Sequence, residues 1–158
     1  MIDSLQAFVA GQPEILKWLA IALVSAIPFV EVYLGTTIGI VAGVHPVVAA
    51  SAAIVGNAAA VLGVIFVADW VRGRVRGRVR PSEPSPVTPR RARLTKLFNR
   101  FGVPGVSLLG HPTQISSAAL IAFGARLRTV ILWQLISIVL WGALVAALVG
   151  LGVQVISH

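Results

Sequence analysis

The chain has 158 residues, of which 57% are hydrophobic and only 11% are charged. Soluble domains have about 25% charged residues, so this composition excludes an ordinary soluble fold and favours an integral membrane protein. The net charge of +8 does not indicate nucleic-acid binding, because most of the basic residues lie in one loop next to apolar spans, where anionic lipid head groups are the expected counter-charge. Cysteine is absent and the three histidines are dispersed, so no disulfide, metal site or cofactor is predicted.

The basic residues are concentrated in one segment. No Lys or Arg lies between Lys17 and Arg72, whereas ten of the 13 basic residues lie between Arg72 and Arg100. Cytoplasmic loops of membrane proteins carry this kind of excess. We therefore predict a multi-pass protein of the bacterial plasma (inner) membrane, with its N-terminus and loop 72–100 in the cytoplasm and its C-terminus outside.

The first apolar region has room for two full spans of about 20 residues but not for three. Pro28 interrupts it, and the Gly-rich segment that follows ends at His45 and Pro46, where a proline can begin a helix. Short apolar segments between prolines are typical of re-entrant hairpins, whose non-helical backbone must be buried against protein. The predicted elements are a span at 14–28, a hairpin at 29–44 and a span at 46–71.

The second apolar region repeats this plan. Residues 101–125 are apolar but broken by Gly and Pro, and basic residues bracket them on both sides. If positive charge stays inside, this segment enters from the cytoplasm and returns to it as a second hairpin, opposite in direction to the first. A full span follows at 129–152. Leucine and phenylalanine at helical spacing also predict a short cytoplasmic interfacial helix at 90–101.

The predicted fold is therefore an all-α integral membrane protein with three full transmembrane helices, two inverted re-entrant helical hairpins and a short cytoplasmic interfacial helix. It forms a single membrane domain, 1–158. Two half-units, 14–71 and 90–152, are joined by a flexible, basic and Pro-rich cytoplasmic linker at 72–89. Because three spans enclose little volume, we expect a homo-oligomer in the form of a dimer.

Three parts of the sequence resemble a known family: AIPFVEVYLGTTIGIVAG from Ala26, the triplet Val55-Gly56-Asn57, and FGVPGVSLLG from Phe101 with the later AALIAFG. They resemble the small multidrug export proteins of bacteria, distant relatives of the DedA (VTT) membrane proteins. The resemblance covers residues 16–71 and 97–152.

The family's first hairpin has a Pro followed by an acid, which Pro28 and Glu31 match, whereas Tyr33 and Thr37 stand where an Arg and a second Pro are usual. The tip of the second hairpin, at 111–114, departs from the family's Pro-Gly-rich pattern. The resemblance implies two opposed re-entrant hairpins and a transport role. DedA relatives are associated with the movement of lipid carriers across membranes.

Glu31 is the main candidate for function. An acid at the centre of a span costs ~2.5–3.5 kcal/mol, and burial favours its uncharged form. Glu31 could therefore bind and release a proton, or neutralise a cationic substrate. The structural alternative is a protonated Glu31 that caps backbone N–H groups of the hairpin.

Polar residues near the centre of the second hairpin could line the same cavity and bind substrate or protons. His111 can exchange protons near physiological pH. Alternatively, these side chains have only a structural role and pair with backbone N–H and C=O groups of the broken hairpin, which are costly to leave unpaired in lipid. The candidates on this hairpin are His111, Thr113, Gln114, Ser116 and Ser117.

Four further polar residues have simpler expected roles. Asn57 is expected to form a hydrogen bond to a neighbouring helix. Asp69, beside Trp70 and Arg72, is expected to form a surface ion pair or to act as an interface anchor. Arg126 and Arg128 either contact a phosphate head group or only enforce the orientation of the chain.

No enzyme signature is present, neither G-x-S-x-G nor H-E-x-x-H nor a Walker lysine, so an enzyme is not predicted. The function predicted first is a small membrane transporter or exporter of an amphipathic or cationic solute, proton-coupled through Glu31. One alternative is a DedA-like lipid or polyprenyl-phosphate translocase. The other is a non-transporting membrane scaffold, whose basic loop binds anionic lipid or a partner.

Overall fold

The computed structural model describes residues 1–76, 100–109 and 113–156. Over these residues all regular structure is helical, as predicted. The helices in chain order are α1 (Ile2–Ala10), α2 (Glu14–Ser25), α3 (Glu31–Val41), α4 (Pro46–Arg76), α5 (100–109), α6 (Gln114–Ala122) and α7 (Leu127–Ile156).

Two helices are long and apolar enough to cross a membrane. They are Pro46–Val75, with 30 residues, and Leu127–Val153, with 27 residues. At about 1.5 Å per residue, each is longer than the ~30 Å hydrocarbon core of a bilayer. These two helices correspond to the spans predicted at 46–71 and 129–152.

The first half of the chain differs from the prediction. Helix α2 has 12 residues and ends at Ser25, so it rises only about 18 Å and does not provide the full span predicted at 14–28. The hairpin predicted at 29–44 is instead one helix, α3, of 11 residues. The chain reverses between α2 and α3, because Pro28 stops the first helix earlier than the run of apolar residues suggests.

The second half agrees with the prediction only in part. Helix α4 continues to Arg76, so helical structure extends into the segment predicted as a linker at 72–89. The rest of that linker and the interfacial helix predicted at 90–101, apart from its last two residues, lie outside the described residues. Helices α5 and α6 occupy the region of the second hairpin. Residues 110–112, between these helices, lie outside the described residues, so this hairpin stays a prediction.

The chain forms two compact units. Unit 1 comprises Met1–Ala60 and Ile138–His158, and unit 2 comprises Val61–Ser137. Both long helices contribute to both units. Unit 1 also contains the short helices α1, α2 and α3, and unit 2 contains the short helices α5 and α6.

Close contacts at glycines show the relative directions of the helices in unit 1. A Cβ atom on Gly35 would lie 2.9 Å from Ser25 Cβ, and one on Gly39 would lie 2.7 Å from Ile21. Since residue number rises along α3 while it falls along α2, the two short helices are antiparallel. Small residues allow this close approach.

The same argument applies to α4 and α7 in unit 1. A Cβ atom on Gly142 would lie 2.8 Å from Ile54, and one on Gly150 would lie 3.1 Å from Pro46. These two pairs run in opposite directions along the two helices. The first half of α4 and the last half of α7 are therefore packed antiparallel.

Helices α3 and α6 end in the same way. Gly43 and Gly124 have φ of +84° and +88°, and the residue after each glycine donates its N–H to the carbonyl five residues earlier, at 3.0 and 3.1 Å. This is a Schellman motif, which requires a residue that tolerates positive φ. In unit 1 the Lys17 Nζ donates to the carbonyl of Ala42 at 3.2 Å and pairs with Glu14, which stabilises the end of α3.

Candidate functional site

The turn between α2 and α3 determines the position of Glu31. Pro28 has no N–H group and cannot continue a helix, and the chain turns over residues 26–30. Phe29 and Glu31 have φ of +73° and +52°, a conformation that costs a non-glycine residue about 1–3 kcal/mol. Glu31 is thus held as the first residue of α3 in a strained turn that surrounding contacts must stabilise.

The ionisable side chain of Glu31 is buried, with the residue only 6% exposed. A carboxylate in such surroundings needs hydrogen-bond donors or a cation to remain charged, and the N–H groups at the start of α3 favour negative charge. Tyr33 follows Glu31 by two residues on α3. The Tyr33 ring packs edge-on against Trp141, with 5.5 Å between ring centroids. Glu31 can therefore hold a proton or attract a cation beside two aromatic rings.

Two further buried side chains of unit 1 carry polar atoms that are not satisfied by the described residues. Asn57 and Thr36 are 0% exposed. Neither amide atom of Asn57, nor the hydroxyl of Thr36, has a hydrogen-bond partner among the described residues, so the hydrogen bond expected from Asn57 is not found within them. Because an unsatisfied buried polar group costs about 1–3 kcal/mol, both side chains are candidates for contact with a ligand or water.

In unit 2, α6 begins in a hydrogen-bonded turn. Thr113 Oγ1 accepts a hydrogen bond from the Ser116 N–H at 3.0 Å, and Ser116 Oγ accepts one from the Thr113 N–H at 3.1 Å. Ser117 Oγ donates to the Thr113 carbonyl at 2.9 Å. The Thr113 and Ser116 side chains therefore satisfy backbone N–H groups at the start of the helix, which is the structural alternative for them, and Ser117 bonds back to the carbonyl four residues earlier. Gln114, the residue after Thr113, is also buried.

Helices α5 and α7 add polar groups next to this turn. Gln134 Nε2 donates to Ser116 Oγ at 3.4 Å, and Ser137 Oγ donates to the carbonyl of Ser107 at 2.6 Å. Gln134, Ser137 and Ser107 are all 0% exposed. Gln134 Oε1 and Ser107 Oγ have no hydrogen-bond partner in the part of the chain that the structure describes. Unit 2 thus contains a buried polar cluster with an unused acceptor and an unused hydroxyl.

Arg72 stabilises the other end of α6. Its guanidinium group donates to the carbonyls of Ile121 at 2.9 Å and Ala125 at 3.3 Å, and forms an ion pair with Asp69 at 3.0 Å. The ion pair predicted for Asp69 is confirmed. A basic side chain held by an acid three residues earlier therefore caps α6, just as Lys17 caps α3.

The remaining candidates are not assembled into one site. His111 lies outside the described residues. Arg126 and Arg128 are exposed at the start of α7. Glu31 belongs to unit 1 and Gln114 to unit 2, so the predicted cavity lined by both hairpins stays a prediction.

Sequence reasoning missed Gln134, Ser107, Ser137 and the capping role of Arg72. Gln134 could have been predicted, because it is a lone amide within an apolar span, as Asn57 is. Among residues 1–76, 100–109 and 113–156, no group of three or more His, Cys, Asp or Glu side chains is placed to hold a metal ion.

Comparisons of the chain with protein-family models, with curated proteins and with solved structures find no match.

Proposed function

We propose that the chain is a small membrane transporter that moves an amphipathic or cationic solute and exchanges a proton at Glu31. The observation that carries this proposal is the burial of the Glu31 carboxyl at a strained turn between two short helices. Strain and buried ionisable groups are costly, and in membrane proteins they are concentrated where substrates and protons move.

Helix lengths support a membrane location. Helices α4 and α7 can each cross a bilayer, whereas α2 and α3, at about 18 and 17 Å, reach about halfway through a ~30 Å core. Such half-length antiparallel pairs are found in transporters with broken helices, where substrate sites lie near the midplane. We also propose membership of the small multidrug export family, a bacterial plasma membrane location and a homodimer.

The packing of unit 1 changes the proposed topology. Because α2 and α3 are half-length and antiparallel, the chain returns to the side from which it entered before α4 begins. If the basic loop faces the cytoplasm, α4 runs inward and the N-terminus lies outside, contrary to the cytoplasmic N-terminus expected from sequence. The C-terminus, which follows α7, also lies outside.

The test is transport in vesicles that contain the purified full-length chain. Decyltrimethylammonium, a permanent cation, serves as the probe, and a pH gradient drives its uptake. Glu31→Gln keeps the size of the side chain but cannot exchange a proton. We expect this variant to lose pH-driven uptake while it remains folded.

The matched control is Asp3→Asn, which removes an exposed acid on α1 and should leave uptake unchanged. Retained folding is checked by circular dichroism and by the unfolding temperature in detergent. Unchanged pH-driven uptake in the Glu31→Gln variant, or loss of uptake in both variants, would contradict the proposed role of Glu31.

A phospholipid translocase is the second candidate, and one observation favours it. Arg126 and Arg128 are exposed at the start of α7, where free N–H groups and two guanidinium groups together suit a phosphate. Flipping of a fluorescent phospholipid in vesicles would then fall in a variant with both residues changed to Ala. Normal flipping in that double variant would eliminate this candidate.

A further inference from the structure

The end of α4 carries an arginine stacked on a tryptophan at the surface of unit 2. Arg74 Cζ lies 3.8 Å from the centroid of the Trp70 ring, and both side chains are exposed, with Trp70 56% exposed. A guanidinium group at this distance is attracted by the negative face of the ring. Trp70 therefore holds the positive charge of Arg74 close to the surface of the helix.

This pair faces away from the rest of unit 2. Arg72, which lies between the two residues in sequence, donates to two backbone carbonyl groups around the end of α6. Residues two apart on a helix lie on nearly opposite faces, so Trp70 and Arg74 lie on the outward face of α4. Phe66 and Val67, one turn before Trp70, are also exposed. The outward face thus changes from apolar side chains to a tryptophan and then to a cation.

The position of this change along α4 matches the surface of a bilayer. Trp70 lies 24 residues after Pro46, a rise of about 36 Å, which is slightly more than the ~30 Å hydrocarbon core. Tryptophan is enriched at the membrane–water interface. If α4 crosses the bilayer, Phe66 and Val67 are therefore at the depth of the lipid chains, and Arg74 is at the depth of the phosphate groups.

The charge of Arg74 is not compensated by the described residues. Asp69 is the only acid in the described part of unit 2, and it pairs with Arg72 at 3.0 Å. Over the same residues Arg74 forms no ion pair. The Trp70 ring covers one face of the guanidinium group, which leaves the N–H donors at its edge accessible. Two parallel N–H groups of an arginine match two oxygens of a phosphate.

We propose that the outward face of α4 binds an anionic phospholipid. The phosphate accepts hydrogen bonds from the edge of the Arg74 guanidinium group, Trp70 positions that group, and an acyl chain lies along Phe66 and Val67. An anionic head group fits better than a zwitterionic one, because a choline would bring a second cation beside Arg74. The binding site depends on a membrane location and not on the transport of a solute.

The experiment measures the first dissociation constant for added lipid by native mass spectrometry of the full-length chain in maltoside micelles. The probes are dimyristoyl phosphatidylglycerol and dimyristoyl phosphatidylcholine, which have the same chains and differ in net charge. Arg74→Gln should weaken binding of phosphatidylglycerol about fivefold, the contribution of one arginine near the membrane surface. Binding of phosphatidylcholine should weaken less, so the preference for the anionic lipid falls.

Two tryptophan variants separate the stacked geometry from net charge. Trp70→Leu keeps every arginine but removes the ring, and it should weaken binding of phosphatidylglycerol about two- to fivefold. The matched control is Trp18→Leu, because Trp18 is similarly exposed, at 51%, and has no guanidinium contact among the described residues. This control should leave both affinities unchanged. Circular dichroism of all three variants checks that the helices are retained.

Three results would overturn the proposal. The first is a wild-type affinity for phosphatidylglycerol in the Arg74→Gln variant. The second is an equal loss for both lipids in that variant, which would indicate contact with lipid in general. The third is displacement of phosphatidylglycerol by an excess of inorganic phosphate, which would indicate a site for a soluble anion. None of these results depends on pH-driven uptake, so the proposed role of Glu31 is tested separately.

Discussion

Replacement of Gln134 by Leu should stabilise the protein, although it removes a hydrogen-bonding side chain. Gln134 is 0% exposed and its Oε1 atom has no partner among the described residues, a situation that costs about 1–3 kcal/mol. The hydrogen bond that is lost, to Ser116 Oγ, is long at 3.4 Å and should contribute less than the usual ~0.5–1.5 kcal/mol. Since Leu has a similar size, we expect the free energy of unfolding to rise by about 1 kcal/mol.

The assay is thermal unfolding of the purified chain in micelles, followed by tryptophan fluorescence, and the expected rise is about 2–4 °C for a protein of this length. Ser137→Ala is the control, because it removes a well-formed 2.6 Å hydrogen bond and should lower the unfolding temperature. If Gln134→Leu lowers the temperature as Ser137→Ala does, the Gln134 carbonyl is satisfied and our reasoning fails. Increased stability together with reduced transport would indicate a binding role for Gln134.

Three other predictions concern packing, capping and topology. Gly56→Val should prevent folding, because its Cβ would meet backbone atoms of α2, and circular dichroism would detect the loss of helix. Gly63 has open space around it, so Gly63→Ala should raise the free energy of unfolding by ~0.5–1 kcal/mol, measured by denaturation. Arg72→Gln should lower the free energy of unfolding, measured in the same way, by about 1–2 kcal/mol because α6 loses its cap. The same change at the exposed Arg128 should have no effect on this free energy. Ser4→Cys, in a chain without native cysteine, should react with a membrane-impermeant maleimide added to intact cells, and protection of this residue would contradict an external N-terminus.

The two long helices were predictable because their composition leaves few alternatives. An apolar segment of more than 20 residues satisfies its backbone groups in lipid only as a helix, and both segments lack interior Pro. The observed helices begin at Pro46 and Leu127, at or within two residues of the predicted starts. Their C-terminal ends extend further than predicted because helix formation depends on backbone bonding and does not stop where charge begins.

The length of α2 could not be predicted from hydropathy. Residues 26–30 are as apolar as those before them, so they appear to continue a span, although Pro28 does mark the break. The reversal depends on positive φ values at Phe29 and Glu31, and no preference of these residue types indicates such a conformation. Glu31 was found from sequence because an isolated acid is conspicuous. Gln134 could have been predicted in the same way as Asn57, since both are lone amides within an apolar span.

The same backbone conformation occurs at the ends of α3 and α6, although the similar sequence segments of the chain lie at other positions. The similar segments HPVVAASAA and HPTQISSAA belong to different elements, since the first contains the start of the long helix α4 and the second contains the start of the short helix α6. The structurally equivalent parts of the two halves are instead the ends of α3 and α6. In both, a glycine with positive φ closes the helix and the next long helix begins three residues later.

The buried chemistry of the two units nevertheless differs. Unit 1 contains a carboxyl group at Glu31, whereas the buried cluster around Gln134 contains, among the described residues, amides and hydroxyls. A carboxyl group can change charge within the physiological pH range when its surroundings permit, and an amide cannot. We therefore expect the pH dependence of transport to follow Glu31 and not Gln134. A Gln134→Leu variant should therefore leave the pH profile of transport unshifted, and a shifted profile would contradict this expectation.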